Sequence, residues 1–273
     1  MKRILLIVMT GVLFFLASGH DAGALRPVIK EGPDGRSINR SSGENALLPF
    51  CDQDDNKESP ARRRSRFKGH WGGIEIGLNN YAVADYELNL PPEISFMELH
   101  SAKSRNVNLN FGQLSIGLAR HAGFVTGIGL GWNNYMFSGD NNIEKDINGR
   151  IDILDPGAAL RRSKFSTFFL KIPFLLEFQI PTDHQRLNIS AGPVGAVKLG
   201  SFSVMEFENK DKIKSDDDFN LNIFRYGATA RIGYENFNVY GTYYFTPLFK
   251  NNLGPGGIDL FPFEIGIAFS IDD

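Results

Sequence analysis

Thr167-Phe168-Phe169-Leu170-Lys171-Ile172-Pro173-Phe174-Leu175-Leu176-Glu177-Phe178-Gln179-Ile180 decides the reading of this chain. Every second residue from Phe168 to Ile180 is apolar, while Lys171, Pro173, Glu177 and Gln179 fall between them. A period of two over so many residues describes an extended strand with one apolar and one polar face. The same alternation returns in Ile74, Ile76 and Leu78 against Glu75, Gly77 and Asn79. Tyr226, Ala228, Ala230, Ile232 and Tyr234 alternate with Arg225, Gly227, Thr229, Arg231 and Gly233. Near the C-terminus Phe263, Ile265, Ile267, Phe269 and Ile271 alternate with Glu264, Gly266 and Ser270. Val107, Leu109 and Phe111 change phase to Leu114, Ile116 and Leu118, so a β-bulge is predicted at Gly112-Gln113.

Working outward, eight such segments are predicted at 70–82, 106–119, 123–137, 165–180, 187–200, 220–235, 237–247 and 260–271. The gaps between them alternate long and short. His121-Ala122, Pro181 to Arg186 and Glu235-Asn236 are short, whereas 83–105, 138–164, 201–219 and 248–259 are long. This rhythm predicts an all-β fold, an eight-stranded antiparallel up-and-down transmembrane β-barrel with tight turns at one rim and long loops at the other. A lipocalin-like soluble barrel would alternate in the same way with its apolar face inward. Three features favour a lipid-facing apolar side. The polar face is rich in small residues such as Gly127, Gly129, Gly131 and Asn133, which suit a narrow lumen. The loops are strictly asymmetric. Trp71, Tyr81, Trp132, Tyr135, Tyr243 and Phe261 gather near strand ends, as interfacial aromatics do.

Composition agrees. Charge is nearly balanced at −2, which argues against nucleic acid as the main partner, and 29 Gly with 23 Phe favour strands over helices. Cys51 is the sole cysteine, which excludes an internal disulfide, and it lies too far from the export signal to be a lipoprotein anchor. Lys2-Arg3, the apolar run Ile4 to Ala17 and Ala22-Gly23-Ala24 predict a signal peptide over 1–24. Residues 25–68 are polar and irregular and are expected to form a flexible periplasmic segment ahead of a barrel over 69–273. The basic cluster Arg62-Arg63-Arg64-Ser65-Arg66 with Lys68 ends that segment. Asp52 to Asn56 begins like a calcium loop but fails at Lys57 and Arg63.

On the polar face, Glu75, Glu177, Glu235 and Glu264 are matched by Lys171, Lys198, Arg225 and Arg231. They are expected to pair across the lumen and plug it. No catalytic or cofactor motif is found, and no enzyme activity is expected. Gly127-Ile128-Gly129-Leu130-Gly131 lies in mid-strand with no helix after it, so it is no phosphate loop. His100-Ser101 and His121 fall at opposite rims and assemble no Ser–His–acid set. Asp216-Asp217-Asp218 reads as a solvated acidic loop tip rather than a cation site.

Phe67 to Tyr81, Lys171 to Pro181 and Ser190-Ala191-Gly192-Pro193 resemble the porin-like outer-membrane barrels of Bacteroidetes, the PorT-type family. The resemblance spans about 67 to 273 and implies an outer-membrane barrel, mostly of uncharacterised activity, with one branch serving a secretion system. The last strand also resembles the signal read by the barrel-assembly machinery, with Glu264, Gly266, Phe269 and Ile271 in its polar, glycine, aromatic and hydrophobic slots. It departs from that signal by ending on Asp272-Asp273. The expected protein is therefore a structural or interaction barrel in a Gram-negative outer membrane with both termini periplasmic. Its expected partners are outer-membrane lipid, the assembly machinery and a periplasmic or surface protein. A small-solute channel is the alternative, and a lipid-modifying enzyme the second.

Overall fold

In a computed structural model that describes residues 67–182 and 186–271, the alternating segments close on themselves. The strands among the described residues are β1 (Gly73–Ala82), β2 (Arg105–Ala119), β3 (Ala122–Met136), β4 (Asn142–Lys145), β5 (Ile151–Leu154), β6 (Leu160–Pro181), β7 (Arg186–Phe207), β8 (Lys212–Asp216), β9 (Phe224–Tyr234), β10 (Phe237–Tyr244) and β11 (Phe261–Ser270). β1, β2, β3, β6, β7, β9, β10 and β11 pair antiparallel in that order, and β11 returns to pair with β1 along Gly73↔Ser270 to Ala82↔Phe261. All eight predicted strands are present. A closed ring leaves no sheet edge unpaired, which is the condition for carrying backbone through lipid.

The apolar face points outward. Ile74, Ile76, Leu78, Leu109, Phe124, Phe174, Phe178, Ile232, Ile265 and Phe269 are exposed, while Asn79, Asn106, Asn108, Asn133, Glu177 and Glu264 are buried. A water-soluble barrel would invert this arrangement; lipid as the outer solvent explains it. The predicted bulge is also present. The β2–β3 register shifts between Phe111 and Leu114, Gly112 takes φ +62°, and Gln113 turns inward while Leu114 returns to the lipid face.

The long connections differ from irregular loops. β6 and β7 are each 22 residues long and continue past the rim, where β8 adds to β7 and β4 pairs with β5. Val83, Ile94, Met97 and Leu99 from the first connection meet Phe137, Ile143 and Ile151 from the second, Phe219 and Leu221 from the third, and Leu248, Phe249 and Leu260 from the fourth. They pack onto Tyr81, Tyr135 and Phe165 at the barrel top. The loops thus carry the largest apolar core among the described residues, a cap over one mouth.

The opposite mouth holds the start of the described chain. The boundary expected at 68–69 falls inside folded structure, because Phe67 is buried with Trp71, Val125 and Leu175. The expected signal peptide over 1–24, Cys51, the calcium-like stretch and the basic cluster 62–66 lie outside the described residues.

Candidate functional site in the barrel lumen

The lumen is filled in three tiers. At the turn rim, a strap from Phe67 to Gly72 is threaded into the mouth. The inward Gln113 accepts from the Trp71 and Gly72 amides at 2.8 and 2.6 Å and donates to the Gly69 carbonyl at 2.8 Å. Ser115 Oγ accepts from the Gly69 amide at 3.0 Å. Glu177 accepts from the His70 amide at 3.0 Å and stands 2.7 Å from His70 Nδ1. Gln179 donates to Glu177 and to the Lys68 carbonyl. The glycines of β3 leave room for this strap. A Cβ on Gly123 would lie 2.5 Å from the Phe67 ring, and one on Gly127 would lie 2.4 Å from the Trp71 ring. The resemblance of 127–131 to a phosphate loop is therefore a by-product of close packing inside a barrel.

In the middle tier Glu75 accepts from Asn108 and Asn110 at 2.6 and 2.5 Å and pairs with Arg231. Asn106, Asn108 and Asn110 alternate along β2 between outward Val107, Leu109 and Phe111. The space left among Glu75, Lys171, Arg231 and Tyr244 measures about 20 Å³, room for about one water.

In the upper tier Glu264 takes Lys171 Nζ at 2.7 Å, Asn133 at 3.0 Å, Asn106 and Asn108 at 3.3 Å, and Arg225 Nη2 at 3.6 Å. Lys171 also donates to Asn108 at 3.0 Å. Arg225 is clamped between rings, 3.6 Å from the Phe169 centroid and 3.8 Å from that of Tyr244. Ring faces carry negative potential, so this sandwich holds a buried guanidinium that one carboxylate alone holds at arm's length.

Six of the eight predicted lumenal charges are thus buried inside: Glu75, Lys171, Glu177, Arg225, Arg231 and Glu264. Two are corrected. Glu235 lies in the β9–β10 turn with φ +53° and is exposed, because the alternation that aims side chains inward ends with the strand at Tyr234. Lys198 lies above the network beside a register shift in the β6–β7 ladder, is partly exposed, and donates to the Asp218 carbonyl at 3.2 Å. The acidic tip 216–218 is taken up by lysines: Lys214 on Asp216, Lys145 on Asp217 and Asp218, and Lys250 on Asp218. His70, Gln113 and the β2 asparagines were missed as parts of the plug. The Asn-x-Asn-x-Asn alternation was the available signal for the last of these. His100 stands in the first long connection and His121 in the β2–β3 turn, at opposite rims.

A closed antiparallel ring with an apolar exterior and a polar interior defines a membrane-spanning β-barrel, here one whose lumen is occupied by its own side chains and strap. The family model of the outer membrane protein beta-barrel domain matches residues 64–251, well over half of the chain, and the chain belongs to that family. Neither a curated protein nor a solved structure matches it.

Proposed function

We propose that this outer-membrane barrel is a non-conducting, non-catalytic structural or interaction protein. In this reading the capped loops face the exterior, both termini are periplasmic, and the chain is exported by a signal peptide over 1–24. The PorT-type resemblance to Bacteroidetes barrels supports the same placement. The observation that carries the proposal is the filled lumen: the apolar cap, the Glu264–Lys171–Arg225 and Glu75–Arg231 tiers, and the Phe67–Gly72 strap lie one above another. Work is then left to surfaces: the cap outside and the segment before Phe67 inside, where a periplasmic or surface protein partner would bind.

Gly266, Phe269 and Ile271 serve assembly in this reading. Phe269 and Ile271 are exposed on the lipid side of the last strand, where an assembly machine can read them, and a Cβ on Gly266 would lie 2.3 Å from the Ile76 carbonyl across the closing seam. The test is single-channel recording of the mature full chain in a planar bilayer. Insertion without current steps is expected. Reproducible steps that change on Arg225→Ala would make the protein a small-solute channel instead.

A further inference from the structure

β6, β7 and β8 rise past the loop rim as one tall sheet with a lipid-facing side. Along its lower edge, and continuing onto the neighbouring β3, runs a row of exposed or half-exposed rings. Trp132 lies 4.7 Å from Phe168, and Phe168 lies 6.0 Å from Phe202. Such a row marks the level where hydrocarbon gives way to head groups. Directly above it stand cations. Lys214 Nζ is 4.4 Å and Lys164 Nζ 5.8 Å from the Phe202 ring, and the register carries Lys164 across Val204 to Lys214. One rung higher, Arg162 faces Glu206 and Glu206 faces Lys212.

The carboxylates here do not balance the cations. Glu206 accepts from Arg161 at 2.8 Å and lies 3.5 Å from Lys212, and Asp216 pairs with Lys214 at 2.8 Å. Among the described residues Arg162 and Lys164 have no carboxylate partner. Two strand spacings and two residues make the patch roughly 10 by 7 Å.

We infer that Arg162, Lys164, Lys212 and Lys214, set above the Trp132–Phe168–Phe202 row, bind the phosphates of a phosphorylated glycolipid in the outer leaflet. A single phosphate would engage one or two of these cations. A head group with phosphates on a saccharide can span both rungs while its acyl chains descend over the apolar barrel wall. Charge complementarity at head-group height selects this occupant over a soluble anion, which has no reason to favour the row of rings below.

The inference rests on the outward orientation of the loops proposed above. That premise is tested separately in a Cys51→Ser background. Ala159→Cys should react with an impermeant maleimide on intact cells, and Arg120→Cys should not.

The patch itself is tested with the purified mature barrel in neutral detergent, titrated with diphosphorylated lipid A. Binding is read by native mass spectrometry against the variant Arg162→Gln/Lys164→Gln/Lys212→Gln/Lys214→Gln. The variant should bind on the order of tenfold more weakly or worse. Lys103→Gln/Arg150→Gln, which removes exposed cations elsewhere, should bind like the parent. Undiminished binding by the fourfold variant would overturn the assignment. So would equal binding of phosphatidylglycerol, or displacement by inorganic phosphate at millimolar concentration. Heat-modifiable gel migration identical to the parent establishes that the variants are folded.

Discussion

Glu264 receives one lysine, one arginine and three asparagine amides in a space that Glu75 and Arg231 share one tier below. Its negative charge compensates the buried Lys171 directly and Arg225 in part, with the Phe169 and Tyr244 rings holding the rest of the guanidinium. Removing one member of a buried charge cluster leaves its partners uncompensated, which costs on the order of 3–5 kcal/mol. Glu264→Gln keeps the shape and removes the charge, so it is expected to lose stability of that order in denaturant unfolding from lipid vesicles. Glu235→Gln, in an exposed turn, should stay within about 0.5 kcal/mol of the parent. Equal effects from the two substitutions would mean that the lumenal tier does not carry the barrel. The same pair shows what alternation can reveal. A residue's parity in its strand placed Glu264 inside correctly, but parity has no meaning past Tyr234, where the backbone turns.

The strap and the β3 floor beneath it were legible only in part, because they are assembled from elements far apart in the chain. The period of two fixes which way Gly123 and Gly127 face, and it signals the bulge that turns Gln113 inward. It carries no information on which segment will fill the space, since Phe67 to Gly72 precede the first strand and have no period of their own. Their packing is a close fit. A methyl group on Gly127 would stand 2.4 Å from the Trp71 ring, so Gly127→Ala must move the strap. Overpacking of this kind costs about 1–3 kcal/mol. In a Trp132→Phe background, which leaves Trp71 as the sole tryptophan, Gly127→Ala is expected to shift Trp71 emission to longer wavelength and to expose the Lys68 peptide bond to trypsin. Unchanged emission and cleavage would mean that the strap is not held by this floor.

At the scale of the whole molecule, the barrel is closed at its two mouths by different physics, and the difference should be visible in pH dependence. The turn rim is closed by hydrogen bonds and two aromatic anchors, the loop rim by an apolar core with ion pairs at its surface. Those surface pairs centre on Asp218, where the hydrogen bond from Lys145 holds the carboxyl well below the usual carboxylate range, aided by the Asn220 amide and Lys250. Lys145 is itself raised: burial lowers it, but its bonds to Asp218 and Asp217 outweigh that. A carboxyl whose folded pKa lies below its unfolded value, about 3.9, contributes stability that is fully present above that value. The contribution is lost as pH falls through the folded pKa. These groups are partly exposed, so the stabilisation is modest, in the range of about 0–1 kcal/mol per pair. It should therefore loosen the cap locally rather than unfold the barrel. Asn142–Lys145, whose Lys145 is one partner, is the segment expected to respond first. Hydrogen exchange there, corrected for its intrinsic pH dependence, should be flat from pH 7 to about 5 and rise below about 4, while β1 and β11 stay protected. A rise already between pH 7 and 5, or simultaneous loss of protection in β1, would show that Asp218 does not hold the cap in place.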